Sequence, residues 1–250
     1  MVDGALSCIK NGKIILENGV LLGKTRVFGQ KIVAIIDDAA VEQAYGERCL
    51  EIIDAQGKFI APGFIDTHIH GFYGKDTMDG DPQGLEIMGK NLAKNGVTGF
   101  LPTTMTMSAE RIQGALNAVR LAMRADRNGA KVLGAHLEGP FISKNRVGAQ
   151  NAKYIRKPDP GLIKDYFDVV KMITLAPEED AQFAFMNYVK NNSAAILSIG
   201  HTDADYETAM AAIRIGISHA THLFNAMPPF HHRNPGPVGA VLNSDISFEL

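Results

Sequence analysis

Hydrophobic and polar positions change their pattern once along this chain, near residue 61. Before that point, short apolar runs rich in β-branched residues alternate with turn dipeptides such as Asn11-Gly12 and Asn18-Gly19. The runs cover residues 6–9, 14–16, 20–22 and 32–36. This alternation predicts a small β-sheet domain over residues 1–61.

From residue 62 onward the pattern becomes strand, loop and helix, repeated. Strands are predicted near residues 64–70, 99–102, 131–138, 170–176, 195–200 and 219–222. Helices are predicted near residues 82–95, 108–127, 159–167, 178–191 and 203–215. Such alternation is typical of parallel strands with helical crossovers, so residues 62–250 are predicted to form an α/β barrel or an open doubly wound sheet.

The length of this second domain affects the choice of architecture. A complete eightfold barrel takes about 250 residues, but the chain has 189 residues after Ala61. Residues 238–242 and 246–250 have mixed strand and turn character and are followed by no further helix pattern. We therefore expect a barrel that is incomplete at its C-terminal side, either because the chain is shorter than its parent, which we favour, or because the barrel is unusually small.

Composition narrows the class of function. Lys and Arg total 25 against 27 Asp and Glu, a formal net charge of -2, which favours a small-molecule substrate over nucleic acid or a membrane surface. Cys8 and Cys49 match no zinc-site spacing and are interpreted as buried, reduced thiols. The start resembles no signal peptide, and no apolar run approaches the roughly 18 residues of a membrane span, so a cytoplasmic location is expected.

Five residues that bind metals well fall where the predicted parallel strands end. Each lies at or near the end of a short apolar run: His68, His70, Glu138, His201 and His222. His70, Glu138 and His201 are followed directly by Gly or a small polar residue. Because the carboxyl ends of barrel strands meet at one mouth, these side chains are predicted to converge on a divalent cation.

Each of these residues also has a simpler interpretation. His68 and His70 are two positions apart and share a strand face, which suits one ion but also suits a hydrogen-bonded pair of imidazoles. Glu138, taken alone, is equally consistent with a solvated charge at the end of a strand. The convergence of all five residues favours the metal site.

Other histidines are given supporting or surface roles. His136 shares strand parity with Glu138 and is predicted to hydrogen-bond a neighbour or to orient a ligand. His219 lies three positions before His222 and is predicted to face the other side of its strand. His231 and His232 are predicted to lie on a loop surface, and Thr202-Asp203 is a candidate N-cap for the following helix.

Sequence motifs extend this interpretation over the whole chain. These motifs are APGFIDTHIHG, GVTGFLPT, HLEGPFI, NRVGAQN, TLAPE, SIGHTDA and THLFNAMPP. With them the chain resembles the amidohydrolase superfamily and, within it, the family of N-acetylglucosamine-6-phosphate deacetylases. HLEGP and THLFNAMP are specific to the deacetylase family, whereas the His-x-His strand is shared across the superfamily.

The resemblance implies a β-sandwich built from both chain ends and a distorted TIM-type β/α barrel that carries the metal. On that pattern Glu138, His201 and His222 match the principal metal ligands, and His68 with His70 match a second position that only some members fill. The resemblance implies one or two divalent ions, zinc or iron; imidazole and carboxylate ligands suit several metals, so the ligands alone do not choose among them.

The resemblance also implies a substrate site for a sugar phosphate. Asn225 and Ala226 match positions that meet the sugar phosphate, as do Ala149 and Gln150, although the family usually has a His near Gln150. Arg233 matches an arginine that reaches the phosphate across a homodimer interface. The alternative interpretation of Arg233 is an exposed loop cation without a ligand.

The implied reaction is metal-dependent removal of an acetyl group, because a divalent ion activates water and polarises the acetamide carbonyl. The family's proton-transferring Asp has no match before Leu250, so no catalytic residue is predicted within the chain and weak activity is expected of these 250 residues alone. The alternatives are the galactosamine epimer as substrate, a cyclic amide as in dihydroorotase, and binding without turnover. Dihydroorotases commonly use a bridging modified lysine, whereas Glu138 takes that role here.

Overall fold

The structure, a computed structural model, describes residues 5–125 and 128–250. It divides into two compact units, Met1–Gly63 and Phe64–Leu250. The start of the chain, on which the signal-peptide expectation rests, and the predicted helix end at residues 126–127 lie outside the described residues.

The first unit consists of two small sheets. Its strands are β1 (Leu6–Lys10), β2 (Lys13–Leu16), β3 (Gly19–Leu21), β4 (Lys24–Phe28), β5 (Ile32–Asp37), β6 (Cys49–Asp54) and β7 (Phe59–Ile60), with one short helix, α1 (Val41–Tyr45). The strand orders are β5-β4-β1-β6 and β3-β2-β7. Leu6, Cys8, Val27 and Cys49 form a small buried core on the larger sheet.

The interpretation of the two cysteines as separate thiols is wrong. Cys8 and Cys49 form a disulfide, with their Cα atoms 5.9 Å apart. They are 41 residues apart in sequence, but β1 and β6 are adjacent parallel strands, so the fold brings the two residues side by side. Sequence separation gave no sign of that pairing because connectivity between distant cysteines depends on tertiary structure.

The second unit is built on parallel strands with helices between them. Its strands are β8 (Phe64–Ile69), β9 (Gly71–Phe72), β10 (Lys75–Asp76), β11 (Val97–Pro102), β12 (Lys131–Val132), β13 (Ala135–Glu138), β14 (Val170–Leu175), β15 (Ile196–Ile199), β16 (Ile217–Ala220) and β17 (Ser247–Phe248). Its helices are α2 (Pro82–Ala93), α3 (Ala109–Met123), α4 (Ala184–Asn192), α5 (Tyr206–Ile215) and α6 (Gly236–Leu242).

Parallel pairing joins eight of these strands in two sheets, ordered β12-β11-β8 and β13-β14-β15-β16-β17. The short strands β9 and β10 pair with each other antiparallel. A parallel bridge between Thr103 and His136 connects β11 to β13. One large apolar cluster lies between the strands and helices, and its fully buried members include Phe100, Leu116 and Ile173. The predicted α/β class is confirmed. No helix among the described residues has the length and apolar character needed to cross a membrane.

A glycine divides the strand that the sequence predicts over residues 131–138. Gly134, between β12 and β13, has φ +155°, and a Cβ there would lie 2.6 Å from the carbonyl oxygen of Val169. The chain can therefore pass close to its neighbour only with glycine at this position. The break leaves β13 as a separate four-residue strand that ends on Glu138.

Three predicted elements differ in type or position. Residues 160–162 and 164–166 form 3-10 turns rather than a helix over 159–167. The helix predicted from residue 178 begins at Ala184, because Gln182 and Phe183 have left-handed φ and the Asp180 carboxylate accepts from the first backbone N–H groups of α4. Residues 238–242, whose pattern mixes strand and turn character, belong to helix α6. A short apolar run cannot by itself distinguish a buried helix from a strand.

Candidate metal centre

All five candidate ligands lie at the carboxyl ends of strands in the second unit. His68 is within β8 and His70 follows its last residue, while Glu138 is the last residue of β13. His201 and His222 each lie two residues beyond their strands, β15 and β16. Both have positive φ, 47° and 32°. Strained backbone of this kind costs about 1–3 kcal/mol and is concentrated at functional sites.

The Glu138 carboxylate is the centre of the cluster. Its Oε1 lies 3.1 Å from Nε2 of His201, 3.1 Å from Nε2 of His222 and 3.4 Å from Nε2 of His68. Its Oε2 lies 3.0 Å from Nε2 of His70. Glu138 is 1% exposed, which excludes the alternative of a solvated surface charge. Glu138 is thus shared by two overlapping groups of candidate ligands, His68–His70–Glu138 and Glu138–His201–His222.

The spacing of the donor atoms fits a metal ion. The Nε2 atoms of His201 and His222 are 3.1 Å apart, and those of His68 and His70 are 3.3 Å apart. Ligands at about 2.0–2.1 Å from a tetrahedral zinc are roughly 3.3–3.4 Å apart. Four imidazole nitrogens and a carboxylate that converge at this spacing form a donor set typical of a divalent transition metal.

Electrostatics at the cluster favour a bound cation. Burial raises the pKa of Glu138, but the hydrogen bonds from the four histidines outweigh burial and hold it far below its usual range. Burial lowers the pKa of His68, but its contacts with Glu138 and Glu249 raise it to about 10. Glu138 and Glu249 therefore place two negative charges at the cluster, and a divalent cation would take the place of the His68 proton in balancing them.

The outer ring nitrogens are held by partners that fix the orientation of the imidazoles. His201 donates from Nδ1 to the backbone carbonyl of Arg146 at 2.9 Å, and His70 donates from Nδ1 to the carbonyl of Thr103 at 3.2 Å. Nδ1 of His68 lies 2.8 Å from Oε1 of Glu249. Donation from Nδ1 leaves the Nε2 lone pair free to face the cluster.

Glu249 was not predicted from the sequence. It directly follows β17 and lies in the run of residues 246–250, whose pattern mixes strand and turn character. Its local pattern does not mark it, because alternation only places it on the same strand face as Ser247, whose contact with Nδ1 of His219 at 2.8 Å depends on the fold.

Gln150 lies directly on the central carboxylate. Its Nε2 donates to Oε2 of Glu138 at 2.7 Å, and its Oε1 accepts from the backbone N–H of Thr106 at 2.6 Å. Gln150 is buried. Its bond to Thr106 fixes the amide group, and its bond to Oε2 then holds the Glu138 carboxylate in place. Its predicted contact with substrate stays a prediction.

His136 lies one layer below the cluster, as strand parity predicts. Its Nδ1 donates to the carbonyl of Thr67 at 3.0 Å, and its Nε2 accepts from Oγ1 of Thr174 at 2.6 Å. Oγ1 of Thr221 donates to Thr174 and accepts from Oγ of Ser198, each at 2.6 Å. Burial lowers the pKa of His136 to about 3, so it is neutral and supports the neighbouring strands.

The predicted substrate residues lie on two loops beside His201. A Cβ at Gly148 would come 3.1 Å from Cε1 of His201 and 3.6 Å from Cβ of Ala226, so these two loops lie against each other at the ring. Ala149 and Asn225 are exposed. Arg233 is also exposed, next to His231 and His232, whose rings are 4.4 Å apart.

The N-cap predicted at Thr202-Asp203 is wrong. Asp205 caps α5 by accepting from the backbone N–H of Thr208. Thr202 instead donates to Glu178, and Asp203 pairs with Arg146 at 2.7 Å. These contacts tie the loop of Arg146, whose carbonyl holds His201, to the start of the segment that leads into α5.

Comparison with known proteins places this site in a family. The profile of the amidohydrolase family matches residues 59–242, which include all five candidate ligands. The chain therefore belongs to the amidohydrolase family.

Individual relatives indicate a narrower group of proteins within this family. The chain is 40% identical over 244 residues to a Bacillus subtilis protein named N-acetylglucosamine-6-phosphate deacetylase, covering 95% of this chain and 61% of that protein. A crystal structure of N-acetylglucosamine-6-phosphate deacetylase from Pasteurella multocida matches with TM-score 0.86 and 35% identity, over 97% of this chain and 63% of that one.

A Mycobacterium smegmatis N-acetyl-D-glucosamine-6-phosphate deacetylase, solved as a mutant in complex with N-acetyl-D-glucosamine-6-phosphate, matches with TM-score 0.81 and 27% identity. The match covers 99% of this chain and 63% of the Mycobacterium smegmatis chain. The chain thus spans somewhat less than two thirds of the length of these relatives.

Proposed function

We propose that this chain carries the metal centre of a hydrolase that removes the acetyl group from N-acetylglucosamine-6-phosphate, giving glucosamine-6-phosphate and acetate. The observation that carries the proposal is the convergence of four imidazoles on the buried Glu138 carboxylate at the strand ends. Family membership and the names of the relatives supply the substrate class. The complex of the Mycobacterium smegmatis relative supports the same sugar phosphate.

In this proposal Glu138, His201 and His222 would hold one divalent ion, and His68 with His70 would hold a second that shares the Glu138 carboxylate. Zinc or iron suits this donor set. The parallel strands β8 and β11 to β17 are proposed to belong to a distorted β/α barrel.

Several residues of this chain would serve the reaction by position. A bound ion supplies an activated water and polarises the acetamide carbonyl. Glu138 keeps its charge because four imidazoles surround it, and Gln150 fixes the rotation of its carboxylate. The carbonyl of Arg146 sets the ring plane of His201. Asn225, Ala226 and Ala149 would orient the sugar beside these ligands.

The activity is tested with the product of the whole reading frame that contains these residues. With zinc or iron bound, it should release acetate and free amine from N-acetylglucosamine-6-phosphate, and removal of the metal by a chelator should abolish release until metal is restored. The galactosamine epimer and dihydroorotate are the comparison substrates. Preference for either of these, or metal binding with no release at all, would contradict the proposal.

Arg233 is proposed to bind the substrate phosphate of the partner subunit in a homodimer. Arg233→Gln should raise KM for N-acetylglucosamine-6-phosphate about 10–100-fold with little change in kcat, because a charge-assisted bond to phosphate contributes roughly 1.5–3 kcal/mol. Exposed Arg214 on α5 provides the control, since Arg214→Gln removes the same charge elsewhere. Equal KM values for both variants would leave Arg233 as a solvated loop cation.

A further inference from the structure

The four imidazoles of the metal centre differ in what holds their outer nitrogen. His70 and His201 donate from Nδ1 to neutral backbone carbonyls, and Nδ1 of His222 has no hydrogen-bond partner among the described residues. His68 alone of the four meets a carboxylate there, Oε1 of Glu249 at 2.8 Å. A carboxylate that accepts from a metal-bound imidazole fixes the ring, selects the tautomer and raises the basicity of the other nitrogen.

The backbone places Glu249 for this contact. β17 pairs in parallel with β16, and beyond the last paired residue the N–H of Glu249 donates to the carbonyl of Ala220 at 3.1 Å. The carbonyl of Glu249 accepts from the N–H of Leu223 at 2.8 Å. The side chains of His68 and Glu249 are 15% and 19% exposed, so their contact is shielded from water. Two backbone bonds thus hold Glu249 independently of its side chain.

The contact is directed away from the central carboxylate. Nδ1 of His68 faces Glu249, whereas Nε2 of the same ring faces Nε2 of His70 at 3.3 Å and Oε1 of Glu138 at 3.4 Å. Glu249 therefore lies behind the ring and is not a member of either group of candidate ligands. It can act on the metal position only through His68.

We propose that Glu249 is a positioning residue that controls metal occupancy at the position formed by His68, His70 and Glu138. It accepts the Nδ1 proton of His68, so that Nε2 is presented to the ion as a fixed and more basic donor. This inference rests on the metal centre proposed above, and it assigns to Glu249 a role in the second ion position rather than in the position of His201 and His222.

The test compares Glu249→Ala and Glu249→Gln with the wild-type protein in Co²⁺ titrations and in Co²⁺-loaded crystals measured for anomalous scattering. Glu249→Ala should weaken binding at the His68–His70 position about 10–100-fold, the usual effect of losing such a partner. Glu249→Gln keeps an acceptor oxygen but loses the charge, so its affinity should be intermediate. Occupancy beside His201 and His222 should stay unchanged in both variants.

Glu207→Gln on α5 is the control, because it removes an exposed carboxylate from the same unit. Unchanged affinity at the His68–His70 position in Glu249→Ala would overturn the inference, and so would equal weakening at both positions, which would indicate a general loss of structure. A wild-type protein that never holds an ion at His68 and His70 would also overturn it. If that protein still releases acetate with one ion, the proposed function stands and only this inference fails.

Discussion

Glu138→Gln should remove most of the bound metal and lower acetate release by about 10³-fold or more, because a metal ion contributes several kcal/mol to the stabilisation of the reacting groups. Both oxygens of Glu138 take part in the cluster, so an amide at this position replaces an anionic oxygen with an N–H donor that faces imidazole nitrogens. Metal analysis of the purified variant, together with its rate of acetate release, measures the effect.

Glu179→Gln is the matched control for this variant. Glu179 lies in the 3-10 turn that follows β14, pairs with exposed Lys157 and is not among the candidate ligands. Its loss should leave metal content and rate near the wild-type values, because exposed ion pairs contribute about 0–1 kcal/mol. Full metal content in Glu138→Gln would remove Glu138 from the centre of the site.

The positions of the candidate ligands could be predicted because they depend on local pattern. His68, Glu138 and His201 each follow an apolar run, and parallel strands bring such positions to one end of a sheet. The same reasoning predicted the α/β class, since strands and helices alternate clearly after residue 62. Where the chain turns, as at Gly134, the prediction failed because a single close backbone approach decides the strand boundary.

Contacts between residues far apart in sequence could not be predicted in this way. Glu249 meets His68 across 181 residues, and Gln150 meets Glu138 across a loop of irregular structure. Neither residue differs in local pattern from an ordinary surface polar residue. The Cys8–Cys49 pairing depends likewise on which strands become neighbours. Supporting contacts of this kind depend on tertiary packing and leave no local pattern in the sequence. The ligands that they support can be recognised because each lies at the end of a predicted strand.

Gly139→Ala should be the most destabilising of the single-methyl changes next to the metal centre. Gly139 directly follows Glu138, has φ +70°, and a Cβ there would lie 1.9 Å from Oγ1 and 3.1 Å from Cβ of Thr106. Left-handed backbone costs an Ala about 1–2 kcal/mol, and overpacking adds about 1–3 kcal/mol. At roughly 2–4 °C for each kcal/mol in a chain of this size, Tm should fall by about 5–15 °C.

The same change should also weaken metal binding, because Thr106 is tied to the central carboxylate through its neighbours. The N–H of Thr106 donates to Gln150, which in turn donates to Glu138, so a shift of Thr106 moves the ligand itself. Gly114→Ala on α3 is the control: a Cβ there meets nothing within 4 Å, and an exposed helical Gly→Ala change should stabilise by about 0.5–1 kcal/mol. Thermal unfolding of both variants with and without Zn²⁺ measures the two effects. If Gly139→Ala kept both its Tm and its metal affinity, the turn after Glu138 would not be what holds the carboxylate in place.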